Sequence, residues 1–301
     1  MLTEYTLGSC IFDTNYFSNS EKCEIYLKNL KAILINDEAL VRDLHHGNWS
    51  RYVKSIQSKH PNTKYILQSL GKQLRCVKAV QTNIPATHID WCYEALKSHE
   101  NEPLNGIIVS KGIFKSCTNT DLLASIENLD KATWWQNRSP SIRVYRTTND
   151  YLHHLRLVFC HANSIMFIDP YIDPVKYNYR EFFRILEGIS KLDIPPCIEI
   201  HMCNLNDTSV TEYEQDFRRK LSHTIKTYKL SVEVFVWDKF HDRYLISNII
   251  GINLSNGFDI SDIPNEMATW TRLGRSVRDD IQREFDPASG RHKLQHRFTV
   301  S

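Results

Sequence analysis

Short apolar runs alternate with segments of helical spacing along the first 135 residues of the chain. In residues 21–30 an apolar side chain recurs every three or four positions, which predicts a helix. Compact apolar runs, which are typical of buried strands, occupy residues 8–12, 32–35 and 106–110. Further helices are predicted at residues 39–44, 49–58 and 86–97. This alternation favours an α/β layer with a mainly parallel sheet.

The second half of the chain has the more regular pattern. After a helix predicted at residues 149–162, strands and helices follow in the order β-α-β-α-β-β. The predicted strands are residues 165–168, 197–203 and 232–237, followed by two short strands from residue 240 onward. The helices between them are predicted at residues 179–191 and 212–228. This order also indicates an α/β domain.

A linker separates the two halves. Residues 137–140, Asn-Arg-Ser-Pro, have the composition of an interdomain connection. We predict two α/β domains, one of residues 1–139 and one of residues 140–301, the second with a basic C-terminal extension. The Trp134–Trp135 pair before the linker has a large apolar area, and packing between the domains is favoured over stacking on bases.

Composition narrows the class of protein. Of the 301 residues, 42% are hydrophobic and 24% are charged, as in folded globular proteins rather than disordered chains. The net charge of +2 is small, so a nucleic-acid partner needs a local basic surface. The eight cysteines form no C-x-x-C pair, which disfavours a zinc ribbon and favours reduced thiols in the cytoplasm. No apolar run approaches the roughly 20 residues of a membrane span.

The segment of residues 240–248 carries the strongest chemical signal. His241 and Arg243 stand two positions apart, and the side chains of an extended strand alternate between its faces. A strand here turns both toward one side, which places a nucleophile or proton shuttle beside a charged group that can bind two phosphate oxygens. The alternatives are that His241 only hydrogen-bonds within the fold, and that Arg243 forms a salt bridge to Asp242, Asp259 or Asp169.

The order of residues in this segment resembles the half-motif of the phospholipase D superfamily: a His, one residue, a base, four residues, a polar residue and then a glycine-containing turn. Arg243 stands where that family usually has Lys, and Asn248 stands where it usually has Asp. The apolar run at residues 165–168 leads into D-P-Y-I-D, as in many phospholipase D-like folds. With the G-F-D sequence of residues 257–259, the H-D-R variant is also similar to the C-terminal phospholipase D-like domain of MIT-domain proteins, a binding module. The resemblance covers about residues 141–260.

This resemblance implies roles for individual residues. His241 would attack phosphorus and form a transient phosphohistidine without a metal, while a second histidine protonates the leaving oxygen. Since the chain has one such motif, a homodimer that pairs His241 with its twofold mate is the simplest enzyme, and His201 is the alternative within one chain. Asn248 and Asp259 would orient His241, although Asn lacks the charge that stabilises an imidazolium.

Further polar residues are candidates for substrate binding. Asp169 and Asp173 follow a strand at the end where open α/β sheets bind ligands, but ordinary turn chemistry explains them equally well. Basic residues in a C-terminal helix can track phosphates. Those predicted to line one side of that helix are Arg272, Arg275 and Arg278. Acidic residues interrupt them, so a solvated, salt-bridged helix is an equal alternative.

The first domain has acidic residues after its predicted strands. The D-T-N sequence at residues 13–15 and the D-E sequence at residues 37–38 resemble the opening of PIN-like nucleases, which hold Mg²⁺ with carboxylates. The ligands implied by this resemblance are Asp13, Asp37 or Glu38, and Asp90. The alternative is that these are turn and helix-cap residues, and Ser110-Lys111 stands where a later acidic residue is expected.

Three functions are consistent with these residues. The preferred one is a phosphodiesterase, a nuclease that acts on nucleic acid through the phospholipase D-like site without a cofactor there. The second is a non-catalytic module that binds the phosphate of a nucleic acid, a lipid headgroup or a partner protein. The third is a Mg²⁺-dependent nuclease in the first domain, targeted by the second. A role in a bacterial defence or mobile-element system fits this combination by association.

Overall fold

The computed structural model describes residues 1–117, 121–189, 194–203 and 209–301. The chain forms two units, Leu2–Arg138 and Ser139–Ser301, and Met1 is grouped with the second. The predicted division lay between residues 139 and 140. Each unit has helices packed on its own sheet, so the predicted α/β class is confirmed. Among the described helices, none has the length and apolar character needed to cross a bilayer.

A parallel sheet forms the first unit. Its strands are β1 (Glu4–Leu7), β2 (Leu40–Asp43), β3 (Leu74–Cys76), β4 (Gly106–Val109) and β5 (Leu123–Ser125). In space their order is β3-β2-β1-β4-β5, and each neighbouring pair is parallel. The chain crosses from one side of β1 to the other between β3 and β4. The carboxyl ends of β1 and β4 are therefore the switch point at which α/β sheets bind ligands.

Helices cover this sheet. They are α1 (Ser20–Asn36), α2 (Leu44–Ser55), α3 (Thr63–Ser69), α4 (His88–Asn101), α5 (Lys111–Ser116) and α6 (Thr133–Gln136). The side chain of Asn19 starts α1 by accepting a hydrogen bond from the Lys22 amide at 2.8 Å. The Trp134–Trp135 pair packs on Tyr5 within this unit, with ring centroids 5.6 and 5.5 Å away.

Three predicted elements of the first unit are wrong. Residues 32–35, predicted as a strand, form the end of α1, because the buried residues of this segment recur with helical spacing. Residues 39–44, predicted as a helix, contain β2. Residues 8–12, predicted as a strand, form a 3-10 helix (Ser9–Phe12) just after β1. A short apolar run does not by itself distinguish a buried strand from a buried helix.

A mixed sheet of eight strands forms the second unit. Its strands are β6 (Ser141–Tyr145), β7 (Ser164–Ile168), β8 (Cys197–Cys203), β9 (Val232–Trp237), β10 (Tyr244–Ser247), β11 (Gly251–Leu254), β12 (Met267–Arg272) and β13 (Leu294–Val300). In space the order is β13-β9-β8-β7-β10-β11-β12-β6. β7, β8 and β9 are parallel, and the other neighbouring pairs are antiparallel. The three central strands match the three predicted ones.

The described helices of this unit are α7 (Thr148–His161), α8 (Phe182–Glu187), α9 (Val210–Tyr228) and α10 (Arg275–Glu284). α7 and α9 match the helices predicted at 149–162 and 212–228. The helix predicted at 179–191 is shorter, and its last two residues lie outside the described residues. Aromatic clusters fill both faces of the sheet, Phe167 with Phe182 and Phe258 on one and Phe235 with Trp237 and Phe285 on the other.

Candidate functional site

The candidate site lies in the second unit, at the end of the sheet where strand β7 finishes and its neighbour β10 begins. These strands are antiparallel and pair Tyr244 with Ile168. Asp169, which follows β7, and Arg243, which precedes β10, therefore lie side by side although they are distant in the sequence. The turn after β11 brings Gly257 to the same place. The fold thus assembles the site from three separate segments.

Asp169 is fully buried and joins these segments. Its Oδ2 accepts hydrogen bonds from the Tyr179 hydroxyl at 2.7 Å and the Phe258 amide at 3.1 Å, and its Oδ1 accepts one from the Tyr171 amide at 3.0 Å. Burial raises the pKa of Asp169, and the hydrogen bonds and nearby Arg243 oppose that rise. Burial, followed by the adjacent carboxylate, also raises the pKa of Tyr179, so its hydroxyl keeps the proton that it donates.

Gly257 has no room for a side chain. Its φ is +76°, and an added Cβ would lie 2.1 Å from Asp169 Oδ2 and 3.0 Å from Arg243 Cδ. A left-handed residue this close to two side chains must be glycine. Gly257 thus allows the amide of the next residue, Phe258, to reach the buried carboxylate.

Arg243 is held at the site from two sides. Its Nε lies 3.8 Å from Asp169 Oδ1, and its guanidinium carbon lies 4.8 Å from the centroid of the Tyr171 ring. Of the salt bridges predicted as the alternative, the structure contains the one to Asp169. That separation is too long for a hydrogen bond, and the enclosed Nε donates none to any described residue. With its side chain 27% exposed, Arg243 is positioned at the site while part of its surface stays open to a ligand.

His241 lies next to Arg243 in the connection between β9 and β10 and is exposed to solvent. The prediction that His241 lies on a strand is wrong, because β10 begins only at Tyr244. No described residue shares a hydrogen bond or an ion pair with its ring. His241 is therefore accessible and has no orienting group in the part of the chain that the structure describes.

Asn248 lies at the opposite end of β10. Its Oδ1 accepts hydrogen bonds from the amides of Asn163 at 2.8 Å and Ser164 at 3.4 Å, where β7 begins. The prediction that Asn248 orients His241 is wrong. A strand rises by about 3.3 Å per residue, so the four residues of β10 carry Asn248 roughly 13 Å away from the end of the strand that follows His241.

Asp259 belongs to a neighbouring network. Its Oδ2 accepts hydrogen bonds from the Arg146 guanidinium and from Asn178 Nδ2 at 3.4 Å, and its carbonyl accepts one from the Tyr151 hydroxyl at 2.8 Å. Burial raises the pKa of Asp259, and Arg146 opposes that rise. The predicted contact with His241 is absent among the described residues, because the Asp259 carboxylate turns toward Arg146.

Asp173 lies on the segment that leaves Asp169 and is also buried. Its Oδ1 accepts a hydrogen bond from the Val175 amide at 3.1 Å, and its Oδ2 lies 3.9 Å from Lys176 Nζ. These are turn contacts within the segment. Both carboxylates predicted to bind substrate thus organise the chain around the site, since protein amides and hydroxyls occupy them.

His201, the predicted second histidine within one chain, is unsuited to acid catalysis. It is fully buried on β8 and stacks on Phe235 with ring centroids 4.7 Å apart. Its Nδ1 accepts a hydrogen bond from Trp237 Nε1 at 3.0 Å, and its Nε2 lies 3.1 Å from Glu199 Oε2. Burial lowers the pKa of His201, opposed by Glu199. Both ring nitrogens are occupied and no substrate can reach them.

The three C-terminal arginines do not line one helix face. Arg272 is the last residue of β12, and Arg275 is the first of α10. Arg278 is buried, with Nε and Nη2 each 3.0 Å from Asp279 Oδ1. The predicted basic stripe is therefore wrong, because the chain turns at Gly274 from a strand into a helix. The alternative of a salt-bridged helix fits the contact of Arg278.

The first unit has its own polar group at the carboxyl end of β1. Ser9 Oγ lies 2.8 Å from His88 Nδ1, and His88 Nε2 lies 3.0 Å from Asp13 Oδ2. The other Asp13 oxygen accepts a hydrogen bond from the Asn15 amide at 3.0 Å. All three side chains of this Ser9–His88–Asp13 chain are buried, and Ser9 is fully enclosed, so it ties β1 to α4 rather than presenting a nucleophile. The sequence contains no local pattern that joins these residues.

The predicted magnesium ligands are not brought together. Asp13 lies beyond the carboxyl end of β1, whereas Asp37 and Glu38 precede the amino end of β2. Asp37 pairs with Arg138 at 3.3 Å, and Asp90 accepts a hydrogen bond from the Thr87 amide at 3.0 Å, within the cap of α4. No group of three or more His, Cys, Asp or Glu residues suited to a metal occurs among the described residues. The misassigned strand at residues 32–35 explains the error, since α1 places Asp37 and Glu38 at the opposite edge of the sheet.

Comparisons with known proteins found distant similarities to solved structures. No family model and no curated protein matches the chain. A solved structure of TrmBL2, an archaeal chromatin protein, is 14% identical with a TM-score of 0.30, over 81% of this chain and 86% of that one. A polyphosphate kinase from Porphyromonas gingivalis is 12% identical with a TM-score of 0.35, over 75% of this chain and 33% of that one. Similarities at this level do not assign a function.

Proposed function

We propose that the second unit binds a phosphodiester of nucleic acid with Arg243 and cleaves it with His241 as the nucleophile, as the resemblance to the phospholipase D superfamily implies. One observation carries this proposal: the buried Asp169 holds Arg243, two residues from the exposed His241. Burying the Asp169 carboxylate costs solvation energy, and the protein donors around it offset that cost. Its hydrogen bonds therefore hold together the loops that form the site.

Arg243 supplies the phosphate contact. A guanidinium stays charged and presents several donors in one plane, which match the oxygens of a phosphate. Its ion pair with Asp169 and its stacking on Tyr171 restrict the side chain before a ligand arrives. Less conformational entropy is then lost on binding.

His241 supplies the covalent step. A ring nitrogen forms a bond to phosphorus while the bond from phosphorus to the leaving oxygen breaks, and that oxygen takes a proton from an acid. Water then cleaves the phosphorus–nitrogen bond. Because His201 is enclosed, the acid would come from His241 of a second copy, so the proposal includes a homodimer with twofold symmetry.

The second candidate function is a phosphate-binding module without catalysis. It is favoured by the lack of an orienting group for His241 among the described residues and by the enclosure of His201. In this function Arg243 keeps its role and His241 adds only a polar contact to the bound phosphate.

Cleavage in EDTA separates the functions. Labelled single- and double-stranded DNA and RNA are incubated with the full chain, with His241→Ala and with His223→Ala, an exposed histidine of α9 that serves as the matched control. If the second unit is the proposed enzyme, cleavage occurs in EDTA and is abolished by His241→Ala but not by His223→Ala. The binding module is supported if the full chain binds these nucleic acids, Arg243→Ala weakens that binding, and no cleavage occurs in EDTA or in Mg²⁺. Cleavage that requires Mg²⁺ and survives His241→Ala contradicts both functions.

A further inference from the structure

We propose that the site takes single-stranded nucleic acid, whose unpaired bases stack on Tyr171 and Tyr177 next to the phosphate held by Arg243. This inference rests on the proposed phosphate site and names its substrate class. It is independent of whether His241 cleaves the bound strand.

Both tyrosines leave apolar ring surface in water. Tyr171 is 39% exposed and Tyr177 is 67% exposed, in the segment between β7 and α8. An exposed tyrosine with few internal contacts is a poor contributor to folding and a good surface for stacking a base.

Each ring also carries an arginine. The guanidinium carbon of Arg243 lies 4.8 Å from the centroid of Tyr171, and that of Arg180 lies 3.7 Å from the centroid of Tyr177. Arg180 is further held by Asp262 at 2.7 Å. A cation over a ring fixes its orientation and places positive charge beside a stacking surface, which is how proteins bind the bases and the backbone of a single strand together.

The two rings have a fixed relation to the phosphate site because Asp169 anchors the segment that carries them. The Tyr171 amide and the Tyr179 hydroxyl both donate to this carboxylate. The Tyr177–Tyr179 segment is a 3-10 helix, and the Asn178 carbonyl accepts a hydrogen bond from the Ile260 amide at 2.8 Å. Six residues of chain keep the Cα atoms of Tyr171 and Tyr177 within about 20 Å of each other, a distance that a short single strand can span.

A duplex fits these features less well than a single strand. Paired bases are already stacked on each other, and unstacking one costs a few kcal/mol. Duplex binding without base contacts depends on phosphate neutralisation, for which a chain of net charge +2 offers little beyond the site itself. Stacking of unpaired bases on Tyr171 and Tyr177 would supply binding energy for a single strand that the small net charge does not supply.

Fluorescence anisotropy with labelled oligonucleotides tests this inference. The probes are a DNA single strand, the duplex of the same length and a strand of the same length with abasic spacers. The full chain carries His241→Ala to prevent cleavage, and Tyr177→Ala, Tyr177→Phe or Tyr171→Ala is added. The matched control is Tyr65→Ala, since Tyr65 is 62% exposed with Lys31 Nζ 4.6 Å from its ring centroid, but lies in the first unit.

We expect the single strand to bind more tightly than the duplex. Tyr177→Ala should weaken single-strand binding by about 5- to 150-fold, the range measured for loss of one stacked base, and Tyr171→Ala should act in the same direction. Tyr177→Phe should bind as the parent does because it keeps the ring. Affinity for the abasic strand should be unchanged by the two Tyr177 variants and lowered by Tyr171→Ala, because Tyr171 also restricts Arg243. Tyr65→Ala should change nothing.

Arg243→Ala separates failure of this inference from failure of the proposed function. If it weakens binding of every probe while the tyrosine variants change nothing, the phosphate site stands and the stacking inference is overturned. If it changes no binding, the proposed function is wrong. Vesicles that contain phosphatidylserine are the last probe: binding to them that depends on Tyr177, without single-strand binding, would assign the rings to a membrane surface and overturn the inference.

Discussion

The two units place polar side chains at the same position of an α/β sheet, the carboxyl end of its strands, but use them differently. In the first unit, Ser9, His88 and Asp13 bond to one another and are buried. In the second unit, Asp169 is buried and bonded to protein groups, while Arg243 beside it and His241, two residues earlier in the chain, remain accessible. We call these two places the first edge and the second edge. The residue types at both are typical of catalytic sites, but only those at the second edge include side chains exposed to solvent.

This difference has a physical meaning. Buried polar groups that satisfy one another stabilise a fold and have nothing to offer a ligand. A charged side chain that lies beside a buried carboxylate and keeps part of its surface in water, as Arg243 does, can bind an anion. The comparison therefore predicts that substitutions at the first edge change stability alone, whereas substitutions at the second edge change stability, binding or both.

The largest effect is expected for Asp169→Ala. It removes the acceptor of the Tyr179 hydroxyl and of two amides and leaves these donors buried, so the second unit should lose about 3–5 kcal/mol of its free energy of unfolding. Binding of nucleic acid should be lost as well. Urea unfolding and anisotropy measure the two effects, and a stability loss below about 1 kcal/mol would show that Asp169 does not organise this edge.

Gly257→Ala is expected to cost less, about 2–3 kcal/mol, because the new Cβ meets Asp169 in addition to adopting a left-handed conformation. Gly290→Ala is the matched control: Gly290 has a φ of +65° and nothing within 4 Å of an added Cβ, so it should cost only about 1 kcal/mol. Equal losses in urea unfolding would mean that the close approach to Asp169 contributes nothing.

His88→Ala tests the first edge. It leaves Ser9 Oγ and Asp13 Oδ2 without their partner, so the first unit should lose about 1–3 kcal/mol of its free energy of unfolding. Binding and cleavage should match those of the unsubstituted chain. Hydrogen exchange locates the loss in one unit, and a loss of activity without a loss of stability would contradict the distinction between the two edges.

The smallest effect is a pH dependence due to His201. Burial lowers its pKa, so the folded chain binds this proton less readily than the unfolded chain, in which a histidine titrates near about 6.5. The stability that it contributes is present above that pH and falls as the pH drops below it, by at most about 1.4 kcal/mol per pH unit. Urea unfolding at about pH 7.5 and about pH 5 brackets the histidine titration. Between these values the free energy of unfolding should change less with pH for His201→Phe than for the unsubstituted chain. His223→Phe, at an exposed position, should leave this pH dependence as it was.

Local pattern alone determined much of the second unit. The three central strands and the long helices were predicted within a few residues, because their apolar periodicity is sustained. The pattern failed at residues 8–12, 32–35 and 39–44 of the first unit, where runs of four to six residues fit a strand and a helix equally well. That failure placed Asp37 and Glu38 at the wrong edge of the sheet.

The sequence by itself determined the α/β class and the two halves, since these depend on neighbours along the chain. Only the tertiary structure decided which side chains meet. Strand order and register bring Asp169 to Arg243 and Ser9 to His88, and they send Asn248 to the far end of β10. These contacts join distant segments whose spacing in the sequence carries no periodicity, so burial and strand pairing, rather than local preference, fix the chemistry of each edge.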